Sequence, residues 1–195
     1  MDECQLYSAL LELKLPWKVE KVSLDPGKKM VEIYIVPEKR SRFLCPVCRK
    51  ECMVYDHLHE RIWRDLDSID FMTFIHANPP RISCQEHGIR EVSLPWAEKT
   101  SRFSARFETR SIRMLQNMDT FNFTEIMKLS WKQAWNIIER AVKRGRERKI
   151  GHPSIIGIDE KSYRKGHRYI TLVYDMKNSG VEFIADQRQE EEITG

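Results

Sequence analysis

At 195 residues the chain is long enough for one large domain or for two to three small ones. Its 41% hydrophobic content excludes a wholly disordered protein, and no run approaches the ~18 consecutive apolar residues of a membrane span. The formal net charge of +4 is a mild basic excess, so its meaning depends on where the charges lie.

The N-terminal sequence MDECQLYSAL carries acidic residues and lacks the basic region of a secretory signal peptide. These features predict a cytoplasmic protein that does not associate with membranes. Cysteines stay reduced in the cytoplasm. Clustered cysteines among the five in this chain are therefore interpreted as metal ligands before disulfides.

The first forty residues predict a helix followed by a β-hairpin. Leucines at helical spacing favour a short amphipathic helix over residues 2–14. The β-rich runs 17–24 and 30–36 flank an Asp-Pro-Gly-Lys turn at 25–28, in which Gly27 is expected to take a positive φ. We interpret this segment as a scaffold beside the next module.

Two pairs of potential metal ligands follow. Cys45 and Cys48 are two residues apart in CPVC, and Cys84 and His87 have the same spacing in CQEH, directly before Gly88. Each pair has the form of a zinc knuckle, and four protein ligands would make the zinc structural rather than catalytic. The 35 residues between the pairs exceed the spacing of a compact zinc ribbon. Strand-like runs at 60–65 and 71–76 predict a hairpin inserted into the ribbon.

Other interpretations of these cysteines remain open. A reduced pair without a function and a redox-active C-x-x-C pair are the alternatives, although no βαβ pattern surrounds the motif. Cys52, His57 and His59 are rival ligands, any of which could replace His87.

The middle of the chain has the pattern of a helix-turn-helix. After a predicted linker at 94–97, a first helix is expected over 104–117. Asn122 is predicted to cap a short helix that ends near Lys128, and a Ser-x-x-Gln capping box at 130–133 opens a longer helix. One face of this longer helix is expected to be buried, carrying Ala134, Trp135, Ile138, Ala141 and Val142. Trp131 is also interpreted as a core residue, and the alternative for Trp131 and Trp135 is that they are stacking platforms.

The net positive charge of the chain is concentrated in this segment. Residues 99–152 hold 13 Lys or Arg against 5 Asp or Glu, an excess of eight in a chain whose total is +4. Concentrated positive charge on a helix-turn-helix predicts contacts with the phosphates of double-stranded DNA. The candidate DNA-binding residues are Lys132, Gln133, Asn136, Arg140, Lys143 and Arg144. The alternative is a three-helix connector whose charges are merely solvated.

Three strand-like runs close the chain, at 154–160, 168–176 and 180–186, and predict an antiparallel meander. The first run carries Asp159. A ribonuclease-H-like domain begins in this way, with an acid near the end of its first, central strand, but any β-meander can carry one aspartate.

The motifs taken together resemble the ISL-three family of bacterial insertion-sequence transposases. The residues that carry the resemblance are CPVC at 45–48, WRDLD at 63–67, PPRISCQEHG at 79–88, LPWAEKTSRFSARFE at 94–108, LSWKQAWNIIERAV at 129–142 and IGIDEKSYRKGHRYITLVYDM at 156–176. The resemblance implies a zinc ribbon, a helix-turn-helix and a DDE catalytic domain with a ribonuclease-H-like fold. It also implies that the zinc ligands are Cys45, Cys48, Cys84 and His87.

The resemblance further implies DNA strand cleavage and transfer with two Mg²⁺ ions held by three carboxylates. Asp159 matches the first of these acids and one Mg²⁺ ligand. The other two acids would follow position 195, and neither Glu160 nor Asp175 matches them. We therefore expect a truncated transposase that binds zinc and the DNA ends of its insertion sequence but is inactive alone. A separately encoded fragment that completes the site is a second hypothesis, and a regulator or protein-binding adaptor without catalysis is a third.

The predicted fold class is α+β with several modules: a zinc-ribbon-like β module, a helical helix-turn-helix module and a partial ribonuclease-H-like β-meander. The expected modules span residues 1–40, 41–95, 99–150 and 154–195. The sequence leaves open whether the chain forms a homo-oligomer.

Overall fold

A computed structural model of the chain describes residues 2–147, 153–164, 168–177 and 180–186. The chain has α+β architecture and divides into two compact units, residues 1–141 and 142–195. None of the helices in the described part of the chain has the length and apolarity needed to cross a membrane.

The N-terminal helix and hairpin are confirmed. Helix α1 spans Glu3–Leu10 and begins with a capping box between Asp2 and Gln5. Strands β1 (Trp17–Asp25) and β2 (Met30–Pro37) pair antiparallel. The prediction for Gly27 is wrong: Lys29 has the positive φ of 50°. The Asp25 carboxylate accepts the Lys28 N–H at 3.0 Å, and the residue with positive φ lies two positions after Gly27.

The predicted inserted hairpin is also present, and it completes the sheet of the N-terminal hairpin. Strands β5 (Arg61–Ser68) and β6 (Phe71–Ala77) pair antiparallel, and β6 lies parallel to β2. The resulting order is β1-β2-β6-β5. Strands before and after residue 40 therefore share one sheet.

A second sheet carries both ligand pairs. Its strands are β3 (Arg42–Leu44), β4 (Glu51–His57), β7 (Pro80–Cys84) and β8 (Gly88–Glu91), in the order β3-β4-β7-β8. The first pair lies in the β3–β4 turn and the second in the β7–β8 turn. Neighbouring turns at one end of a sheet bring the pairs together.

One hydrophobic core runs from the N-terminal hairpin through both sheets to residue 97. Trp96 packs edge-on against Trp17 and Trp63, with ring centroids 4.9 and 5.8 Å away. The prediction that residues 94–97 form a linker is therefore wrong, because Trp96 and Ala97 are buried in this core.

The three helices of the middle segment are present. Helix α2 spans Ala105–Leu115, α3 spans Thr120–Met127 and α4 spans Trp131–Glu147. The N-cap of α3 is Asp119, whose carboxylate accepts the Asn122 N–H at 2.9 Å, so the predicted cap at Asn122 is wrong. The sequence pattern placed the start of α3 three residues late because two residues with capping side chains lie close together.

The capping box that opens α4 is confirmed. The Ser130 N–H donates to Oε1 of Gln133 at 2.8 Å, and the Gln133 N–H donates to the Ser130 hydroxyl at 3.3 Å. These two bonds satisfy backbone donors that the first turn of a helix otherwise leaves without partners.

The second unit contains the predicted antiparallel meander. Strands β9 (Ile156–Arg164), β10 (Arg168–Asp175) and β11 (Gly180–Asp186) lie in the order β11-β10-β9. The predicted helix start after the meander lies outside the described residues, as do the middle of the β9–β10 turn and residues 178–179 of the next turn.

Candidate metal centre and nucleic-acid interface

Local backbone geometry shapes the first ligand pair. The Cys45 N–H donates to the Lys50 carbonyl and the Arg49 N–H donates to the Cys45 carbonyl, both at 2.9 Å. Arg49 has a φ of 62°, which turns the chain back into β4. This tight turn holds Cys45 and Cys48 on the same side of the backbone.

The second pair is built in a similar way. Cys84 ends β7, His87 follows in the turn, and Gly88 begins β8 with a φ of 66°. Gly88 thus supplies the permissive backbone that the turn after His87 needs. Gly88 and Arg49 occupy equivalent places, each directly after the second ligand of its pair.

The four predicted ligands converge. The ligand atoms of Cys45, Cys48, Cys84 and His87 all lie within 4.8 Å of one another. Sγ of Cys48 is 3.7 Å from Sγ of Cys84, and Nδ1 of His87 is 3.6 Å from Sγ of Cys84 and 3.9 Å from Sγ of Cys45. A tetrahedral zinc with ordinary Zn–S and Zn–N bonds requires ligand separations of about 3.6 to 3.8 Å. The donor set and its spacing therefore fit one zinc ion.

The electrostatics of the cluster favour a cation. The hydrogen bond with His87 lowers the pKa of the Cys84 thiol to about 6. At Cys48 a backbone hydrogen bond from Lys50 lowers the pKa, but burial and the Cys84 and Cys45 thiols outweigh it and raise the pKa to about 11. Thiolates this close repel one another, and a divalent cation removes that repulsion.

An ion pair spans the two turns beside the cluster. Lys50, after the first pair, contacts Glu86, which lies between Cys84 and His87. Their hydrogen bond raises the pKa of Lys50 and lowers that of Glu86. Because both groups are largely exposed, this pair contributes little stability by itself.

The rival ligands lie outside the cluster. Cys52 is buried, and its thiol donates to the Lys50 carbonyl at 3.5 Å. His57 and His59 are exposed. Among the described residues, the only group of three or more potential ligands is the one that contains Cys45, Cys48, Cys84 and His87.

A cleft of about 510 Å³ lies against the N-terminal half of α4. The residues that line it are Thr100, Arg102, Phe103, Ser130, Lys132, Gln133, Asn136 and Arg140. The structure thus brings four of the six predicted DNA-binding residues to one concave surface. The sequence analysis did not predict Thr100 and Arg102 as DNA-binding residues. The only feature of the sequence that could have indicated them is their position in a basic segment just before α2.

Two of these residues have structural partners. Oε1 of Gln133 accepts a hydrogen bond in the capping box, so only the amide nitrogen of Gln133 can donate to a ligand in the cleft. Arg140 donates from Nε to the buried Glu108 at 2.9 Å, and the Ser101 hydroxyl donates to the same carboxylate oxygen at 2.6 Å. This network ties α4 to α2.

The last two predicted contacts, Lys143 and Arg144, lie near the C-terminal end of α4. Nζ of Lys143 is 4.0 Å from a carboxylate oxygen of Glu147, one turn away. The Lys143 side chain is exposed and that of Arg144 is half-buried.

Helix α4 has two apolar stripes, and the prediction for the buried one is only partly right: Ala134 is buried and Ile138 and Ala141 are half-buried. Ala134 and Ile137 are buried, whereas Trp135 and Val142 are exposed. Trp131, also predicted as core, has 55% of its surface exposed. Both stripes fit a 3.6-residue period, and only the packing against α2 and α3 decides between them.

Asp159 is exposed and lies on β9 opposite Leu172 of β10. It is the fourth residue of β9, and within the described residues β9 is an edge strand rather than a central one. Asp175 is buried at the end of β10, where its carboxylate accepts the Lys177 N–H at 3.0 Å. The described residues do not bring further carboxylates to Asp159 as a magnesium site requires.

A Cys₃His cluster in a β module, followed by helices with a basic cleft, defines a protein that combines a zinc ribbon with a helix-turn-helix. Three family models match consecutive parts of the chain: "zinc-finger of transposase IS204/IS1001/IS1096/IS1165" at residues 41–87, "Helix-turn-helix domain of transposase family ISL3" at 92–142, and "Transposase", of the ISL3 DDE type, at 156–195. The chain belongs to the ISL3 family of transposases.

Curated relatives agree with this family. The chain is 26% identical over 182 residues to the "Transposase for insertion sequence element IS1557" of Mycobacterium tuberculosis, which covers 90% of this chain. It is also 26% identical over 170 residues to the "Transposase for insertion sequence element IS1001" of Bordetella parapertussis, which covers 86% of this chain. The chain spans about 41% of the length of either relative. No solved structure matches.

Proposed function

We propose that this chain is the part of an insertion-sequence transposase that recognises DNA, and that it binds the double-stranded ends of its element in the bacterial cytoplasm. The observation that carries the proposal is the cleft beside α4, which gathers Lys132, Asn136 and Arg102 in a segment with a net excess of eight positive charges. Anionic phosphates are the natural ligand of such a surface.

In this proposal zinc is a structural ion. Cys45, Cys48, Cys84 and His87 would bind it through four protein atoms, which leaves no open position for a substrate. The ion would fix the β3–β4 turn to the β7–β8 turn and so stabilise the second sheet, β3-β4-β7-β8. We propose that residues 99–150 and 154–195 form separate modules, and that residues 1–40 and 41–95 act together because they share one sheet.

Within the cleft we assign different tasks to the side chains. Lys132 is exposed at the start of α4 and suits a phosphate or a guanine edge, while Asn136, one turn later, suits an adenine edge. The amide nitrogen of Gln133 remains available as a donor. Arg140 is the exception, because its ion pair with Glu108 gives it the task of holding α4 in position.

Asp159 is the residue we propose as the contribution of this chain to the Mg²⁺-dependent strand transfer of the family. The ribonuclease-H-like fold belongs to the same proposal, supported by the antiparallel order β11-β10-β9. A second Asp or Glu near Asp159 is needed to bind a pair of ions, so no catalytic step is assigned to this chain alone.

The experiment is a mobility-shift titration with a duplex taken from the ends of the element, at several salt concentrations. We expect log Kd to rise linearly with log salt, and Lys132→Ala to reduce the slope by about 0.9 because one phosphate contact is lost. Lys28→Ala is the matched control, since Lys28 is exposed in the hairpin turn far from α4 in sequence. An affinity that does not respond to salt would refute DNA binding.

A further inference from the structure

Two tryptophans lie on the surface of the helix-turn-helix. Trp131 is 55% exposed and Trp135 is 43% exposed, whereas Trp17, Trp63 and Trp96 are all buried. The exposed rings contact each other edge-on, with centroids 6.0 Å apart and an interplanar angle of 61°. Large aromatic side chains gain much free energy from burial, so an exposed pair marks a surface that another molecule covers.

The surroundings of the pair are basic. Lys132 directly follows Trp131 and lines the neighbouring cleft with Asn136. Within residues 2–147, five cations of the helix-turn-helix form no ion pair: Arg102, Arg110, Arg113, Lys128 and Lys132. A second copy of this surface would bring like charges together, whereas a polyanion would neutralise them. Charge complementarity therefore favours nucleic acid as the molecule that covers the tryptophans.

An aromatic ring needs an apolar face as its partner. In paired, stacked DNA the faces of the bases are covered by their neighbours, and the outside of the duplex presents phosphates, sugars and polar base edges. A base face becomes available where the stack is opened, and stacking on an aromatic side chain then contributes ~1–3 kcal/mol per base. The chemistry of the pair therefore suits DNA that contains an unstacked base.

We propose that Trp131 is a stacking platform for an unpaired base at the end of the element, and that Trp135 supports it edge-on. Trp131 takes the first position because its ring is the more exposed. The inference rests on the proposed DNA binding and extends it: Lys132 contacts the backbone, and the adjacent ring holds a base that has left the duplex.

The test compares two DNA ends that differ only in a short unpaired stretch, with 2-aminopurine as the fluorescent unpaired base. The wild-type chain binds the unpaired end more tightly and quenches 2-aminopurine. Trp131→Ala weakens binding to the unpaired end by about 5- to 150-fold, which corresponds to the stacking of one base. The slope of log Kd against log salt stays unchanged, because no phosphate contact is lost.

Two variants serve as controls. Trp131→Phe keeps an aromatic face and retains most of the preference for the unpaired end. Phe121→Ala removes an exposed aromatic ring from α3 in the same module and leaves both affinities unchanged. Thermal unfolding of each variant shows that the fold is intact, as expected for exposed positions.

The outcomes separate this inference from the proposed function. If Lys132→Ala lowers the salt slope while Trp131→Ala changes neither affinity, the duplex binding stands and the stacking inference is wrong. If Trp131→Ala abolishes a concentration-dependent dimer in sedimentation and leaves DNA affinity intact, a second copy covers the tryptophans and the inference is wrong. If no DNA binds at any salt concentration, both proposals fail.

Discussion

Asp65 of β5 and Arg106 of α2 form an ion pair that joins the first sheet to the helix-turn-helix. The Asp65 side chain is completely buried, and Nε of Arg106 donates to its two oxygens at 2.7 and 3.0 Å. The Ser104 hydroxyl, which also caps α2, donates to the same carboxylate at 2.6 Å. Arg106 further donates to the Leu10 carbonyl at 2.7 Å, so α1 shares the junction.

Replacing Asp65 with Asn is expected to lower the free energy of unfolding by about 3 to 5 kcal/mol, the usual result of breaking a buried ion pair. The amide fits the same space but removes the charge that Arg106 needs. Urea denaturation measures the change. Asp70→Asn, in the exposed β5–β6 turn, is the control and should change stability by less than about 0.5 kcal/mol. Equal losses of stability at the two positions would show that the ion pair between Asp65 and Arg106 does not stabilise the fold.

Arg140→Met is expected to reduce the free energy of unfolding by about 3 kcal/mol, because it leaves the buried carboxylate of Glu108 without its cation. The slope of log Kd against log salt for duplex DNA should not change. Arg113→Met is the matched control for stability, because Arg113 is exposed on α2 and its loss should leave the free energy of unfolding nearly unchanged. The reverse result, normal stability with a reduced salt slope, would show that Arg140 contacts DNA instead of holding α4.

Purified chain is expected to contain one zinc ion, measured by atomic emission. Cys84→Ser should lose the ion because three ligands hold zinc weakly, whereas Cys52→Ser should keep it because Cys52 lies outside the ligand group. Chelation should lower the melting temperature of the wild type, since zinc binding is linked to folding. Loss of zinc from both variants would place Cys52 among the ligands.

Asp56 and Arg81 join β4 to β7, with Nε of Arg81 2.6 Å from a carboxylate oxygen. The Arg81 hydrogen bond lowers the pKa of Asp56 below its ordinary value of 3.8. The pair therefore adds stability above that value, and this contribution is lost as the pH falls through the lower pKa of the folded state.

The corresponding experiment measures urea midpoints from pH 6 to pH 3 for the wild type and for Asp56→Asn. We expect the wild type to be more stable at pH 6 and the difference to shrink towards pH 3. Acid also releases zinc, but it does so from both proteins, so their difference isolates Asp56. A difference that grows as the pH falls would contradict the sign of this shift.

The ligand cluster could be predicted because its information is local. Each pair of ligands lies within four residues, and the turn residue that follows is needed at that place whatever the rest of the chain does. The hairpins and helices were predictable for the same reason. The exact lengths and first residues of the helices were harder to predict. Helix α3, for example, is capped by Asp119 rather than by Asn122.

Features that depend on distant contacts could not be predicted. Asp65 belongs to a charged stretch, WRDLD, that is typical of a surface strand, and only its partners 39 and 41 residues away make its burial possible. Trp96 follows a proline and precedes charged residues, which hides its place between Trp17 and Trp63. The exposed stripe of α4 was misassigned because periodicity alone does not tell which apolar face has a partner.

The parallel pairing of β2 with β6 bears on how the chain folds as it is synthesised. Met30 of β2 lies opposite Met72 of β6, and β6 is inserted between the two pairs of zinc ligands. The hairpin β1–β2 leaves the ribosome first, but its inner edge stays open until about forty more residues have emerged. Pairings so distant in sequence slow folding. We expect the N-terminal hairpin to stay susceptible to proteases on stalled nascent chains that end before β6.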